Sequence, residues 1–190
     1  MRSVWGGCPE RREASGALRP ASCVLRPMSV LILLFAFVVG TPTRTLRAQD
    51  MGIEIGAKGP AAAVETLDGK PADLAQYVGK VPVLIEFWAT WCPNCRELEP
   101  HMKAMHAKYG SQVKFLAVAV SVNQSPERVK AYVEKHGVPG EHFFDRKGVA
   151  TGAYDVPATS YVVVLDKSGK VVYTGLGGDQ DLEKAIKKAL

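Results

Sequence analysis

A chain of 190 residues, 47% hydrophobic and 23% charged, has ordinary globular composition and suits one domain with an appendage. Its formal charge of +5 is no nucleic-acid signature, because residues 1–48 hold seven Arg against two Glu and leave 17 basic against 17 acidic residues downstream. Nucleic acid is therefore excluded as a partner on charge.

In chain order the first distinctive stretch is Met28 to Gly40, "MSVLILLFAFVVG", with Arg26 before it and Arg44 and Arg47 after it. A run of this length at about 1.5 Å per residue reaches roughly 20 Å, short of the roughly 30 Å hydrocarbon core, so a secretory signal fits better than a spanning helix. Small residues near Gly40 and Ala48 offer cleavage points. Leu46 is a poor residue two places before Ala48, which keeps an uncleaved membrane anchor as the alternative, and Met28 is an alternative start. Residues 1–48 are assigned to a signal peptide or membrane-anchoring leader, which implies an extracytoplasmic protein, periplasmic or secreted. Cys8 and Cys23 fall in this leader and receive no role. The mature chain then carries Cys92 and Cys95 alone in an oxidising compartment.

Residues 49–58, glycine-rich and polar, read as a linker, and 59–190 as one domain. Ala62–Leu67 is a strand candidate, Asp68-Gly69-Lys70 a turn, and Pro71–Tyr77 one or two helical turns. Val81–Ala89, "VPVLIEFWA", is apolar nearly throughout, as a central strand covered on both faces should be. A helix follows from Pro93, with Leu98, Met102, Met105 and Tyr109 on one face until Gly110. Val113–Val120 is a second buried strand, and Ser125-Pro126-Glu127 opens a helix with Val129, Val133 and Tyr132 inward. His142–Phe144 reads as a strand and Lys147–Ala153 as a short helix; Tyr161–Leu165 and Val171–Leu176 flank a hairpin turn. The last helix, within Asp179–Leu190, should turn Leu182, Ile186 and Leu190 inward. Parallel strands, helices on both faces and a C-terminal hairpin predict a three-layer α/β/α sandwich.

The segment "ATWCPNC" carries the chemistry. Zinc needs four ligands, and Cys92, Cys95, His101 and His106 lie along one helix that cannot fold back to close a site. Covalent haem attachment needs His after the second cysteine, where Arg96 stands. No metal or cofactor is expected. Redox catalysis needs less: a thiolate and a neighbour that attacks the mixed disulfide. At a helix N-terminus Cys92 gains from unpaired N–H groups and the helix dipole, which favour an exposed thiolate nucleophile. Cys95, one turn on, comes within disulfide reach as the shielded resolving thiol. Glu86 lies mid-strand, either solvent-facing at an edge or buried beneath the cysteines, where desolvation would suit it to move the Cys95 proton. Pro157, in "DVPATS", stands at a strand entrance, and an ordinary trans proline there is the simpler reading of the residues alone.

These residues, "FWATWCPNC" with Glu86 six before Cys92 and "VPATSYVVVLDKSGKVVYTGLGG" downstream, resemble the thioredoxin superfamily, in its TlpA/ResA-like branch of secreted or membrane-anchored thiol-disulfide oxidoreductases. The resemblance runs from about Gly59 to Leu190. It implies a thioredoxin fold with a mixed central sheet, a redox disulfide between Cys92 and Cys95, a buried functional Glu86, and a cis Pro157 beside the pair. It further implies that the Val156 backbone pairs with the substrate strand and that Trp91 borders the substrate groove. Pro93-Asn94 departs from the dipeptides common in relatives, and Ala158 stands where Thr is frequent; these positions, with substrate contacts at Pro93 and Asn94, tune the reduction potential.

The function expected is reduction of disulfides in secreted or periplasmic proteins, with an apocytochrome c as the substrate class the resemblance suggests. A membrane thiol electron donor of the DsbD/CcdA type is the expected partner. The alternatives are a disulfide oxidase or isomerase, a thiol peroxidase, which Ala89 three before Cys92 disfavours, and a non-catalytic binding module. The last needs a purely structural disulfide, and so short a loop restrains little unfolded-chain entropy.

Overall fold

The computed structural model describes residues 51–190, so the leader, its apolar run and its two cysteines lie outside the described residues. Strand β1 (Ala63–Thr66) turns at Asp68 and Gly69 into β2 (Pro71–Asp73), its antiparallel partner. The helical turns expected over Pro71–Tyr77 are thereby corrected. The first half is an edge strand, where the missing proline N–H breaks no ladder, and only Leu74–Gln76 coil into a 3₁₀ turn. Asp73 fixes this junction by accepting from the N–H groups of Ala62 at 3.1 Å and Ala75 at 2.8 Å.

β3 (Val83–Trp88) is buried at every position, as its apolar run requires. α1 (Pro93–Tyr109), β4 (Lys114–Val120), α2 (Pro126–His136) and β5 (Glu141–Asp145) follow. Pro126 occupies the first turn of α2 while Ser125 Oγ accepts the Arg128 N–H, and Gly137, at φ 61°, closes the helix in a left-handed conformation that strains other residues. Two β–α–β crossovers leave β3, β4 and β5 parallel. Both move the same way along the sheet, so right-handed crossovers carry α1 and α2 to one face. α3 (Val149–Ala153) precedes the hairpin of β6 (Tyr161–Leu165), which pairs antiparallel with β3, and β7 (Val171–Leu176), and α4 (Leu182–Lys187) follows.

The seven-stranded mixed sheet reads β2-β1-β5-β4-β3-β6-β7. Alternation along β3 divides the core: Leu84 packs with Leu98 and Met102 of α1 and with Leu182 and Ile186 of α4, and Trp88 with Val129 of α2. Val83, Ile85 and Phe87 pack on the opposite face with Leu74, Ala150 and Tyr154. This is the expected three-layer sandwich with a thioredoxin fold.

Two local expectations change. Leu190 is 58% exposed, and the inward face of the C-terminal segment is Leu182, Ala185, Ile186 and Ala189. α4 ends at Lys187, so Leu190 lies past the helix and takes no place on its apolar face. Residues 52–59, read from the sequence mainly as linker, lie along β7. Gly56 N–H donates to the Val171 carbonyl at 2.7 Å, Val171 N–H to that of Ala57 at 2.8 Å, and Gly59 N–H to that of Gly169 at 2.8 Å. A polar, glycine-rich stretch suits an edge whose backbone groups otherwise lack partners. Gly52, at φ 110°, lets this stretch pass against the Tyr161 ring, where a Cβ would collide with the hydroxyl.

Candidate active site

β3, β4 and β5 run parallel and deliver their carboxyl ends to one edge of the sheet, where open α/β sheets present ligand sites. The β3–α1 loop is held there by the β4–α2 loop. Gln124 Oε1 accepts both the N–H and the hydroxyl of Thr90 at 2.9 Å, and the Trp91 indole donates to the Val122 carbonyl at 2.8 Å. Gln124 in turn donates to the Val120 carbonyl at 2.6 Å. Nothing in the periodicity of "SVNQ" marks Gln124 as the clamp.

Cys92 is the N-cap of α1 and Pro93 its first residue. The Cys92 Sγ accepts the Cys95 N–H at 3.1 Å, so a free donor of the helix end points at the sulfur expected to carry negative charge. Cys92 and Cys95 are joined in a disulfide with Cα atoms 5.3 Å apart, in the usual range. Pro93 and Asn94, the two residues between, are both exposed. The expectation of an exposed Cys92 is corrected for this disulfide form: Cys92 is 2% and Cys95 5% exposed.

Glu86 is 5% exposed and lies on the α1 face of β3. It shares a narrow cleft with Cys95, Glu99 and Tyr132. The edge-strand alternative is excluded, since β3 pairs on both sides. Burial pushes the Glu86 carboxyl up to about 8, with the nearby Glu99 charge acting in the same direction. Glu99 accepts from Lys103 Nζ at 2.7 Å and from the Tyr132 hydroxyl at 3.2 Å. Tyr132 stacks on His136 with ring centroids 4.0 Å apart, and its own ionisation is pushed up by burial and then by Glu99. Glu99 was absent from the sequence-based site, although four residues after Cys95 on one helix is a spacing that places two side chains on one face. The arrangement gives Cys95 a buried carboxylic acid able to hold a proton near neutral pH.

On the other side of the disulfide, half-exposed Trp91 borders a groove of about 410 Å³ that reaches Val156 and Ala158. The Val156 N–H already donates to the Thr151 carbonyl at 2.9 Å, so pairing with a substrate strand through that group requires its release. Pro157 is exposed and borders a separate hollow with Ile53, Ile55 and Tyr161. Ser160, three residues later and missed in the sequence, is the buried residue entering β6. At φ 66° it donates its N–H to the Phe87 carbonyl at 2.8 Å and its hydroxyl to that of Gly177 at 2.9 Å.

Residues 54–190 match the family described as Redoxin. The chain is 27% identical to thioredoxin-like protein YneN of Bacillus subtilis, over 83% of this chain and 93% of that one. It is 28% identical to thiol-disulfide oxidoreductase ResA of Geobacillus thermodenitrificans, over 83% of this chain and 90% of that one. Among solved structures it superimposes on a candidate thiol:disulfide interchange protein DsbE from Chlorobium tepidum with a TM-score of 0.64 and 27% identity, covering 72% of this chain and 98% of the other. With the matched fold and a Cys-X-X-Cys disulfide at the head of α1, the chain belongs to the Redoxin family, as a TlpA/ResA-like thiol-disulfide oxidoreductase of the thioredoxin superfamily.

Proposed function

We propose that this protein reduces disulfides in secreted or periplasmic proteins, including apocytochrome c, through a Cys92 mixed disulfide that Cys95 resolves. The observation that carries the reading is the N-cap position of Cys92 Sγ, with Cys95 bonded to it and the buried Glu86 beside Cys95. In the reduced enzyme the Cys92 thiolate attacks one sulfur of the substrate disulfide, and the other substrate sulfur leaves and takes a proton. Glu86 carboxylate accepts the Cys95 proton; the Cys95 thiolate then attacks Cys92, the S–S bond closes, and the second substrate sulfur departs. Two electrons pass to the substrate, and the proton on Glu86 is released with it.

A cycle in this direction needs two electrons returned to the Cys92–Cys95 disulfide, and a membrane thiol donor of the DsbD/CcdA type supplies them. The leader, residues 1–48, exports or anchors the domain of residues 59–190 together with the strand-docked stretch before it, so the activity is extracytoplasmic. Support comes from the apolar run at Met28–Gly40 and from the extent of the family match. Pro157, Val156 and Trp91 flank the substrate, and Pro93-Asn94 sets the potential.

The test is insulin disulfide reduction with a dithiol donor, together with the equilibrium potential against glutathione. Activity abolished by Cys92→Ser and a potential well below that of the glutathione pool are the expected results. A potential near those of strongly oxidising periplasmic proteins would transfer the assignment to a disulfide oxidase or isomerase. A Cys95→Ser variant traps the natural substrate as a mixed disulfide for identification by mass.

A further inference from the structure

The cleft that Glu86 shares with Cys95 lies between β3, α1 and α2, with Trp88 and Met102 as apolar walls. Among the described residues its titratable lining is Glu86, Cys95, Glu99 and Tyr132. The space open to a water's centre is about 10 Å³, room for about one water. Exposure rises along it, from 5% at Glu86 to 14% at the Glu99 side chain and 42% at that of Lys103, whose Nζ donates to Glu99 Oε1 at 2.7 Å. Tyr132 donates its hydroxyl to the other Glu99 oxygen at 3.2 Å. Lys103 also donates to the His136 carbonyl, tying α1 to the end of α2 at the mouth, and Arg96 adds positive charge near Tyr132.

Disulfide reduction through this pair separates two flows. The substrate sulfurs meet Cys92, and the Trp91 groove beside it shares no lining residue with the Glu86 cleft. The Cys95 proton goes the other way, to the carboxylate at the inner end of the cleft. At neutral pH Glu86 starts protonated, because burial holds its carboxyl near 8, so it must release one proton before it accepts another. With substrate over Cys92, the path that remains is the cleft. A buried acid gives up its proton to an acceptor within hydrogen-bond reach, directly or through one water. Glu99 offers such a group at the partly exposed end of the same cleft, four residues after Cys95 on one helix face.

We propose that Glu99 is the exit for the Glu86 proton: its carboxylate takes that proton through a water in the cleft and passes it to bulk solvent. The proposal rests on the disulfide-exchange reading above and adds a second acid to it. Cys95 S–H loses its proton to the Glu86 carboxylate, Glu86 passes it to Glu99, and Glu99 to solvent. The electron pair stays on the Cys95 sulfur, where it forms the bond to Cys92. Tyr132 and Lys103 are positioning residues, since their hydrogen bonds to the two Glu99 oxygens fix the carboxylate at the mouth.

The test mixes the reduced full chain, in excess, with an aromatic disulfide whose thiol absorbs once released. The first thiol reports attack by Cys92 and the second reports resolution by Cys95, so the ratio of the second rate to the first isolates the Cys95 step. Reading a ratio within each enzyme cancels any general loss of folded protein. Glu99→Gln should lower that ratio by about tenfold or more at neutral pH. Glu99→Ala should lower it as far and recover when formate, a carboxylate small enough to occupy the vacated mouth, replaces chloride at constant ionic strength. Chloride brings the same charge without basicity, so recovery specific to formate separates proton exit from the like-charge effect of Glu99 on Glu86. The unsubstituted protein should show no response to formate. A ratio unchanged in both variants, or lowered in Glu99→Ala with no response to formate, would overturn the exit role alone. Release of a single thiol by the unsubstituted protein would overturn the functional reading and this role with it.

Discussion

At the residue scale the informative group is Glu86. Its carboxyl is held near 8 against a usual value of 4.5, chiefly by burial. The native state therefore binds a proton that the unfolded chain has lost, and stability falls as pH rises from about 4.5 to about 8. Stability from this group is complete below that window and gone above it. Glu86→Gln removes the dependence: the disulfide form of the variant should gain on the parent across the window, by on the order of a few kcal/mol at its upper end. Urea unfolding of both proteins at several pH values checks the sign. In the reduced enzyme the same substitution should slow resolution by about 100-fold and erase a rise in rate centred near pH 8. Glu99 adds to the effect of burial on Glu86 through like charge, so Glu99→Gln should move that rise to lower pH. A pH profile unmoved by Glu99→Gln would show that burial alone sets it.

At the scale of elements, the start of α1 carries function and the start of α2 carries stability. The α1 cap is a sulfur, and Cys92→Ser should keep a capping side chain while abolishing disulfide reduction. Ser125 is a cap with no chemistry attached, at 3.3 Å from the Arg128 N–H. Ser125→Ala should cost about 1 kcal/mol of stability in thermal or urea unfolding. Because the adjoining β4–α2 loop clamps Thr90 and Trp91 through Gln124 and Val122, it should also raise KM for protein substrates more than it changes kcat. The helices of the central unit were readable because each has a proline at its first turn and an apolar stripe of period 3.6. The short elements were harder to read: Pro71–Asp73 is too brief for alternation to outvote a helical guess, and its strand identity comes from pairing with Ala63–Glu65.

At the scale of the molecule, the sheet joins segments distant in sequence: β5 sits between β1 and β4, and residues 56–59 close the far edge on β7. Tyr161 ties that edge to the site, since its hydroxyl accepts the Ile53 N–H at 3.1 Å while its ring packs with Phe87. Gly52→Val adds bulk against that hydroxyl at a positive φ that branched residues resist. It should lower stability by about 1–3 kcal/mol and expose the β7 edge. Faster hydrogen exchange at the Val171 amide, ahead of global unfolding, is the expected signature.

The sequence by itself determined the fold class, the central strands and helices, the redox pair and the presence of an acid in the central strand. Each of these is written in local terms: a buried apolar run, a proline and cysteine at a helix start, a carboxylate on the alternation of Leu84 and Trp88. Only the tertiary structure decided that Glu86 is buried rather than edge-exposed, that Glu99 and Tyr132 share its cleft, and that Ser160 enters β6 beside Phe87. It also decided the docking of residues 52–59. Strand order and side-chain meeting points are non-local, set by which surfaces cover one another, and neither spacing nor propensity along one segment carries that information.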